Sequence, residues 1–207
     1  MMKRAAVALF AAGVLCIGYS VLNSMESRHE QMSALSQAKR MIQNAHLEKM
    51  DPGIKVKKTA ESKEVPKTNG KNGSEKESIL GILRIPRLHK ELPIIEGTSE
   101  AMLRKGVGHF TGSGLPGQHN QIVFSGHRDT VFRHVGELKK GDELIADLQS
   151  GTFVYVINHM KVVKADDRTV IHSTAPKEEL ILTTCYPFYY IGDAPDRYII
   201  YAYPKMN

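Results

Sequence analysis

From residue 79 to the end, apolar side chains come in short runs, some alternating with polar residues and some continuous, with Gly, Pro and Asp turns between them. Runs at 79–85, 92–95, 121–125, 143–146, 152–163, 180–184 and 198–203 have the length and β-branched content of strands. Seven or eight strands at this spacing, with hardly any helix, predict a mainly β fold: a closed or nearly closed β-barrel of about 130 residues. Only two helical turns are expected inside it. One follows a Thr98 or Ser99 cap through Ala101-Met102-Leu103-Arg104 and stops at Gly106; the other covers 176–179.

The segment before residue 79 is built differently. After Lys3-Arg4, residues 5–22 form an uncharged apolar run of a length that begins to span a bilayer core of roughly 30 Å. The run lacks an Ala-x-Ala cleavage pattern, so it reads as a retained transmembrane anchor rather than a removed signal. The two cations ahead of it put residues 1–4 in the cytoplasm and the rest of the chain outside the cell membrane, single-pass. Residues 23–53 follow as a juxtamembrane stalk helix. Met25, Met32, Leu35, Ala38, Ile42 and Ala45 make a weak seam, and Asp51-Pro52-Gly53 ends it. Residues 54–78, rich in Lys, Glu, Ser, Thr, Asn and Gly, have too little apolar surface to offset the entropy of ordering and read as a flexible basic linker. Residues 79–207 are the extracellular domain. The net charge of +6 owes much to that linker, so no nucleic-acid partner is expected.

Chemistry concentrates at strand ends. The run Leu180-Ile181-Leu182-Thr183-Thr184 delivers Cys185 to the end of one strand, and Arg197 opens the next. A guanidinium that never loses its proton favours a neighbouring thiolate and can bind a developing oxyanion. Gly126-His127-Arg128-Asp129 supplies an imidazole at the end of a third strand. Cys185, His127 and Arg197 are therefore the candidate catalytic residues, and their chemistry is covalent cysteine catalysis. The other cysteine, Cys16, lies inside the apolar anchor, so no disulfide is expected. His119, His127 and His134 with Asp129 match no short-loop zinc spacing, and no metal is expected there.

Gly81-Ile82-Leu83-Arg84-Ile85-Pro86, Phe124-Ser125-Gly126-His127, Leu182-Thr183-Thr184-Cys185 and Arg197-Tyr198, in that order behind an anchor and linker, resemble the sortase family of membrane-anchored cysteine transpeptidases of Gram-positive bacteria. Cys185-Tyr186-Pro187-Phe188, Tyr190-Ile191-Gly192 and Ala194-Pro195-Asp196-Arg197-Tyr198 look most like its class D. The resemblance implies a sortase-like barrel in which Cys185 attacks the threonine carbonyl of a Leu-Pro-x-Thr-Gly type sorting signal and forms a thioacyl enzyme. It gives His127 the proton transfers and Arg197 the oxyanion or substrate backbone, with Thr183, Thr184 and Ser125 as substrate-binding residues near the groove. Implied partners are surface proteins bearing the motif and an amine of peptidoglycan or its lipid-linked precursor. No cofactor is expected. A calcium site such as some sortases carry would fall on Glu100, Asp142, Glu143 or Asp147, but the ligand density of a dedicated loop is missing. Two rivals stand beside this reading: a cysteine protease using water as acceptor, and a non-enzymatic, membrane-tethered β-domain for adhesion or scaffolding.

Overall fold

The computed structural model describes residues 2–50, 78–190 and 192–206. The helix stop at Asp51-Pro52-Gly53 and the linker up to residue 77 lie outside the described residues. Eight strands form the domain: β1 (Ile79–Ile85), β2 (Lys90–Glu96), β3 (Val107–His109), β4 (Gln121–Ser125), β5 (Glu143–Leu148), β6 (Gly151–Lys164), β7 (Glu179–Tyr186) and β8 (Asp196–Pro204). They close into a barrel in the order β1-β2-β3-β4-β7-β8-β6-β5, with β5 returning to β1. Only β2–β3 and β4–β7 pair in parallel. β3, the eighth strand, is three residues long and carries no period that a sequence reading could detect.

Alternation along the strands builds two apolar layers. Leu83, Ile85, Ile94, Phe124, Leu144, Leu180, Leu182 and Ile200 fill the barrel interior. Residues of opposite parity, Val123, Ile181 and Ile199, point outward and pack with Val163 and Val170. Burial of each such aliphatic side chain contributes about 1.5–3 kcal/mol. Val170 belongs to the β6–β7 connection, so this outer cluster holds that loop over the β4–β7–β8 surface.

α2 (Glu100–Lys105) follows Ser99 and ends before Gly106, at the expected bounds, although the Ser99 side chain makes no capping hydrogen bond. No helix forms over 176–179, in contrast to expectation. Glu178 is drawn instead into a clamp: Oε2 accepts from the backbone N–H groups of Gly117 (3.0 Å) and His119 (2.9 Å), and Oε1 from the Tyr155 hydroxyl (2.6 Å). Glu179 then begins β7.

α1 (Met2–Met50) is one continuous helix. Among the described residues no helix is long and apolar enough to cross a membrane. The stalk portion differs from the free-standing seam expected of it. Met25 and Met32 face solvent, whereas Ala34 and Ala38 are buried, Ala34 in a cluster with Ile95 and Met102 of the barrel side. The stripe of small residues lets the helix approach the barrel closely, which a seam of methionines would not.

Candidate active site

Strand pairing brings the three candidate catalytic residues together. β4 and β7 run side by side in parallel with Ser125 opposite Thr183, and two further residues along each chain lead to His127 and Cys185. Neighbouring strands are about 4.8 Å apart, so the two side chains start from adjacent backbones. Across the antiparallel β7–β8 pair Cys185 stands directly opposite Arg197. Such partners share one face with Cβ atoms about 5 Å apart. That face is the outer one, since Thr183 and Cys185 continue the parity of Ile181, and Arg197 that of Ile199. All three residues line one cleft of about 270 Å³, together with Arg128, Asp129, Asp193 and Ala194.

Of the three groups, Arg197 is held from behind. Arg197 donates from Nη1 to the carbonyls of Ala194 (3.1 Å) and Asp196 (2.9 Å). Among the described residues Nε and Nη2 have no protein partner, so most of the fork is available. Among the described residues Arg197 forms no ion pair with Asp193 or Asp196; the Asp196 carboxylate takes Lys164 Nζ at 3.0 Å. Cys185 is a free, half-buried thiol. The His127 side chain is 28% exposed, and its Nε2 lies 3.5 Å from Glu100 Oε1. That nitrogen is buried and makes no hydrogen bond.

The turn presenting His127 is tightly built. Gly126 donates its N–H to Thr183 O (3.2 Å), and Phe132 donates to His127 O (2.9 Å). Gly126 passes so near the buried Phe132 ring that a Cβ would sit 2.7 Å from its edge, a contact only glycine avoids. Of the residues expected to bind substrate, Ser125 and Thr183 are half-buried neighbours across the β4–β7 pair, below the histidine and the cysteine. Thr184 requires a correction. Its parity turns it inward, it is 4% exposed, and its hydroxyl donates to Gly126 O at 2.7 Å. It therefore supports the histidine turn instead of meeting substrate.

Sequence reasoning assigned no role to Arg128, although it adjoins His127. Its guanidinium donates to the carbonyls of Pro187 (3.2 Å), Tyr190 (2.7 Å) and Gly192 (3.0 Å). It thereby ties the β7–β8 loop, one wall of the cleft, to the histidine turn. Gln121 does the same for the β6–β7 loop: Nε2 donates to Val170 O (3.0 Å) and Glu179 Oε2 (2.9 Å), and Oε1 accepts from His172 N (3.0 Å). The one available signal was a long polar side chain at the first position of a buried strand.

The residues weighed as metal ligands are scattered. His134 pairs with Glu137 at 2.7 Å, and His119 is exposed. Asp147 pairs with Arg84 and Glu143 with Lys205, while Asp142 accepts from Lys139 N. Among the described residues no group of three or more His, Cys, Asp or Glu is placed to hold a metal ion. A thiol, an imidazole and a free guanidinium face around one cleft can perform acyl transfer through a thioester, with the arginine meeting the developing oxyanion.

Residues 83–205 match the family model described as the sortase domain. The chain is 42% identical to sortase D of Bacillus subtilis (strain 168) over 98% of each sequence. It is 22% identical to sortase A of Bacillus anthracis, over 94% of this chain and 90% of that one. Among solved structures, a sortase D5 transpeptidase of Clostridium perfringens superposes with a TM-score of 0.63 at 21% identity, covering 86% of this chain and 99% of the other. A sortase C of the same organism, solved with the C-terminal cell wall sorting motif, gives a TM-score of 0.57 at 31% identity, covering 63% and 72%.

Proposed function

The chain belongs to the sortase family of cysteine transpeptidases, and on that premise we propose that it cuts a Leu-Pro-x-Thr-Gly type sorting signal of surface proteins and transfers them to an amine of the cell wall or its precursor. Cys185 thiolate adds to the threonine carbonyl, and the oxyanion is met by Arg197. The C–N bond then breaks as His127 gives its proton to the leaving amine, and a thioester remains on Cys185. In the second half-reaction the acceptor nitrogen adds to the thioester carbonyl. The C–S bond breaks, sulfur keeps the electron pair, and the acceptor's proton passes to His127.

The observation carrying this reading is the shared cleft of Cys185, His127 and Arg197 on one outer face. The uncharged run at 5–22 and the preceding Lys3-Arg4 support a single-pass anchor with the catalytic domain outside the cell membrane. Ser125 and Thr183 form the floor on which the sorting peptide lies, and the roles of the triad need no cofactor. Product analysis with and without an added amine tests the proposal. New amide bonds between sorting peptide and amine are expected; release of the free acid alone would make water the acceptor and the protein a cysteine protease. If Cys185→Ala left its cellular role intact, the tethered adhesion or scaffold reading would replace both.

A further inference from the structure

His127 stands between two spaces. On one side is the Cys185 cleft; on the other is a cavity of about 460 Å³ to which α2 contributes Glu100 and Arg104. Nε2 is the ring nitrogen near the second space. It is buried, makes no hydrogen bond, and lies 3.5 Å from Glu100 Oε1. A buried ring nitrogen without a partner is costly, and native folds rarely leave one. At 3.5 Å the carboxylate is beyond hydrogen-bond length yet within ion-pair reach, the loose spacing that catalytic contacts show before substrate tightens them.

The backbone of Glu100 is seated independently of the histidine. Met102 of the same short helix is buried with Ala34 of α1 and Ile95 of β2. Leu103 lies so close to Gly108 of β3 that a Cβ there would come within 2.8 Å of its Cδ2. Arg104 O accepts from Ser27 Oγ (3.4 Å) and Gln31 Nε2 (3.1 Å) of α1. The helix that sequence analysis read as a stalk thus helps to hold α2, and α2 presents its first carboxylate to His127. An acid at a helix start also complements the helix dipole. That purely structural role has a different signature: lower melting and an equal loss on every substrate.

We propose that Glu100 is a positioning residue for His127: it accepts from Nε2–H and turns the ring so that Nδ1 serves the cleft. This rests on the transpeptidase reading above. In acylation Nδ1 gives its proton to the leaving amine as the C–N bond breaks, and the ring is left neutral with its remaining proton on Nε2, against the carboxylate. In the second half-reaction the acceptor nitrogen bonds to the thioacyl carbonyl, Nδ1 takes its proton, and the C–S bond breaks with the electron pair returning to sulfur. A base oriented by a third group is a recurrent arrangement in nucleophilic catalysis.

The test uses the full chain in detergent and two acyl donors built on the same sorting peptide, one an ordinary amide and the other a phenyl thioester. The amide needs a proton on its leaving nitrogen; thiophenolate departs with its electron pair and needs none. Glu100→Ala is expected to slow acylation of Cys185 by the amide about fivefold, the size of a partly exposed ion pair, with the half-saturating peptide concentration unchanged. Acylation by the thioester is expected to keep the parent rate. Glu100→Gln, whose amide oxygen can still accept from Nε2, should fall between parent and alanine variant. Equal loss on both donors, or no loss on either, would overturn the proposal, and so would a glutamine variant as slow as the alanine. A parent chain that the amide never acylates would remove the transpeptidase reading itself, and this inference with it.

Discussion

Replacing Thr184 with Val tests how the fold holds its histidine. The Thr184 hydroxyl and Gly126 O form a buried 2.7 Å hydrogen bond, and valine preserves the shape while removing the donor. The orphaned carbonyl costs about 1–2 kcal/mol. For a domain of this size that corresponds to a melting temperature lower by about 3–8 °C. The larger consequence is catalytic. Gly126 immediately precedes His127, and a displacement of about 1 Å in a reacting group can cost about a hundredfold in rate, so acylation of Cys185 is expected to fall between tenfold and a hundredfold. Thr184→Ser separates the two effects: it retains the hydroxyl and loses only a buried methyl, so it melts earlier yet acylates at close to the normal rate. Thermal melts and single-turnover acylation on all three chains provide the readout. A valine variant that melts within 1 °C of the parent and acylates normally, or a serine variant that loses as much rate as the valine, would refute the reasoning.

Further outcomes follow from the same contacts. If Arg197 serves as the proposed oxyanion donor, worth about 3–4 kcal/mol in the barrier, Arg197→Ala should lower turnover at least a hundredfold with the fold intact by circular dichroism; near-normal turnover contradicts the role. Arg128→Ala releases the carbonyls of Pro187, Tyr190 and Gly192, and faster hydrogen exchange at Phe188, Tyr189 and Tyr190 with a raised peptide KM is expected. Alkali should weaken the barrel. Burial, then the bond to Glu179, pushes the Tyr203 phenol up to about 12, and burial with Glu178 raises Tyr155 further. The folded state retains these protons after the unfolded chain has lost them near pH 10. Their contribution is therefore complete below pH 10 and is lost as pH rises through the folded values, which denaturant melts between pH 9 and 12 will register as falling stability.

Much of the candidate site was legible because its reactive side chains sit where strands end. Cys185 and Arg197 flank one turn, and His127 follows a continuous apolar run, so their residue types and positions pointed to one mechanism. Their closeness in space was not legible from periodicity, since it depends on β4 and β7 pairing in parallel although far apart in sequence. Contacts to carbonyls were also hidden. Arg128 anchors its loop through backbone oxygens, which leave no complementary side chain to notice, and Gln121 reaches its loop through Val170 O and His172 N. Thr184 was misjudged because adjacent threonines look alike until strand parity turns one outward and its neighbour inward. The α1 seam was visible as a weak apolar stripe, but a stripe does not say what covers it. The alanines, whose small size permits close packing, made the contact, and the methionines that drew attention stayed exposed.

The central claim, that sulfur carries the acyl group, is tested most directly by trapping it. The full chain is mixed with a Leu-Pro-x-Thr-x peptide, quenched in acid within a turnover, and digested for mass spectrometry. The account predicts the peptide's acyl fragment on Cys185, absent from Cys185→Ala and discharged into a new amide when an amine is added. Cleavage of the peptide by the Cys185→Ala chain at the normal rate, or an adduct found on another residue, would contradict it.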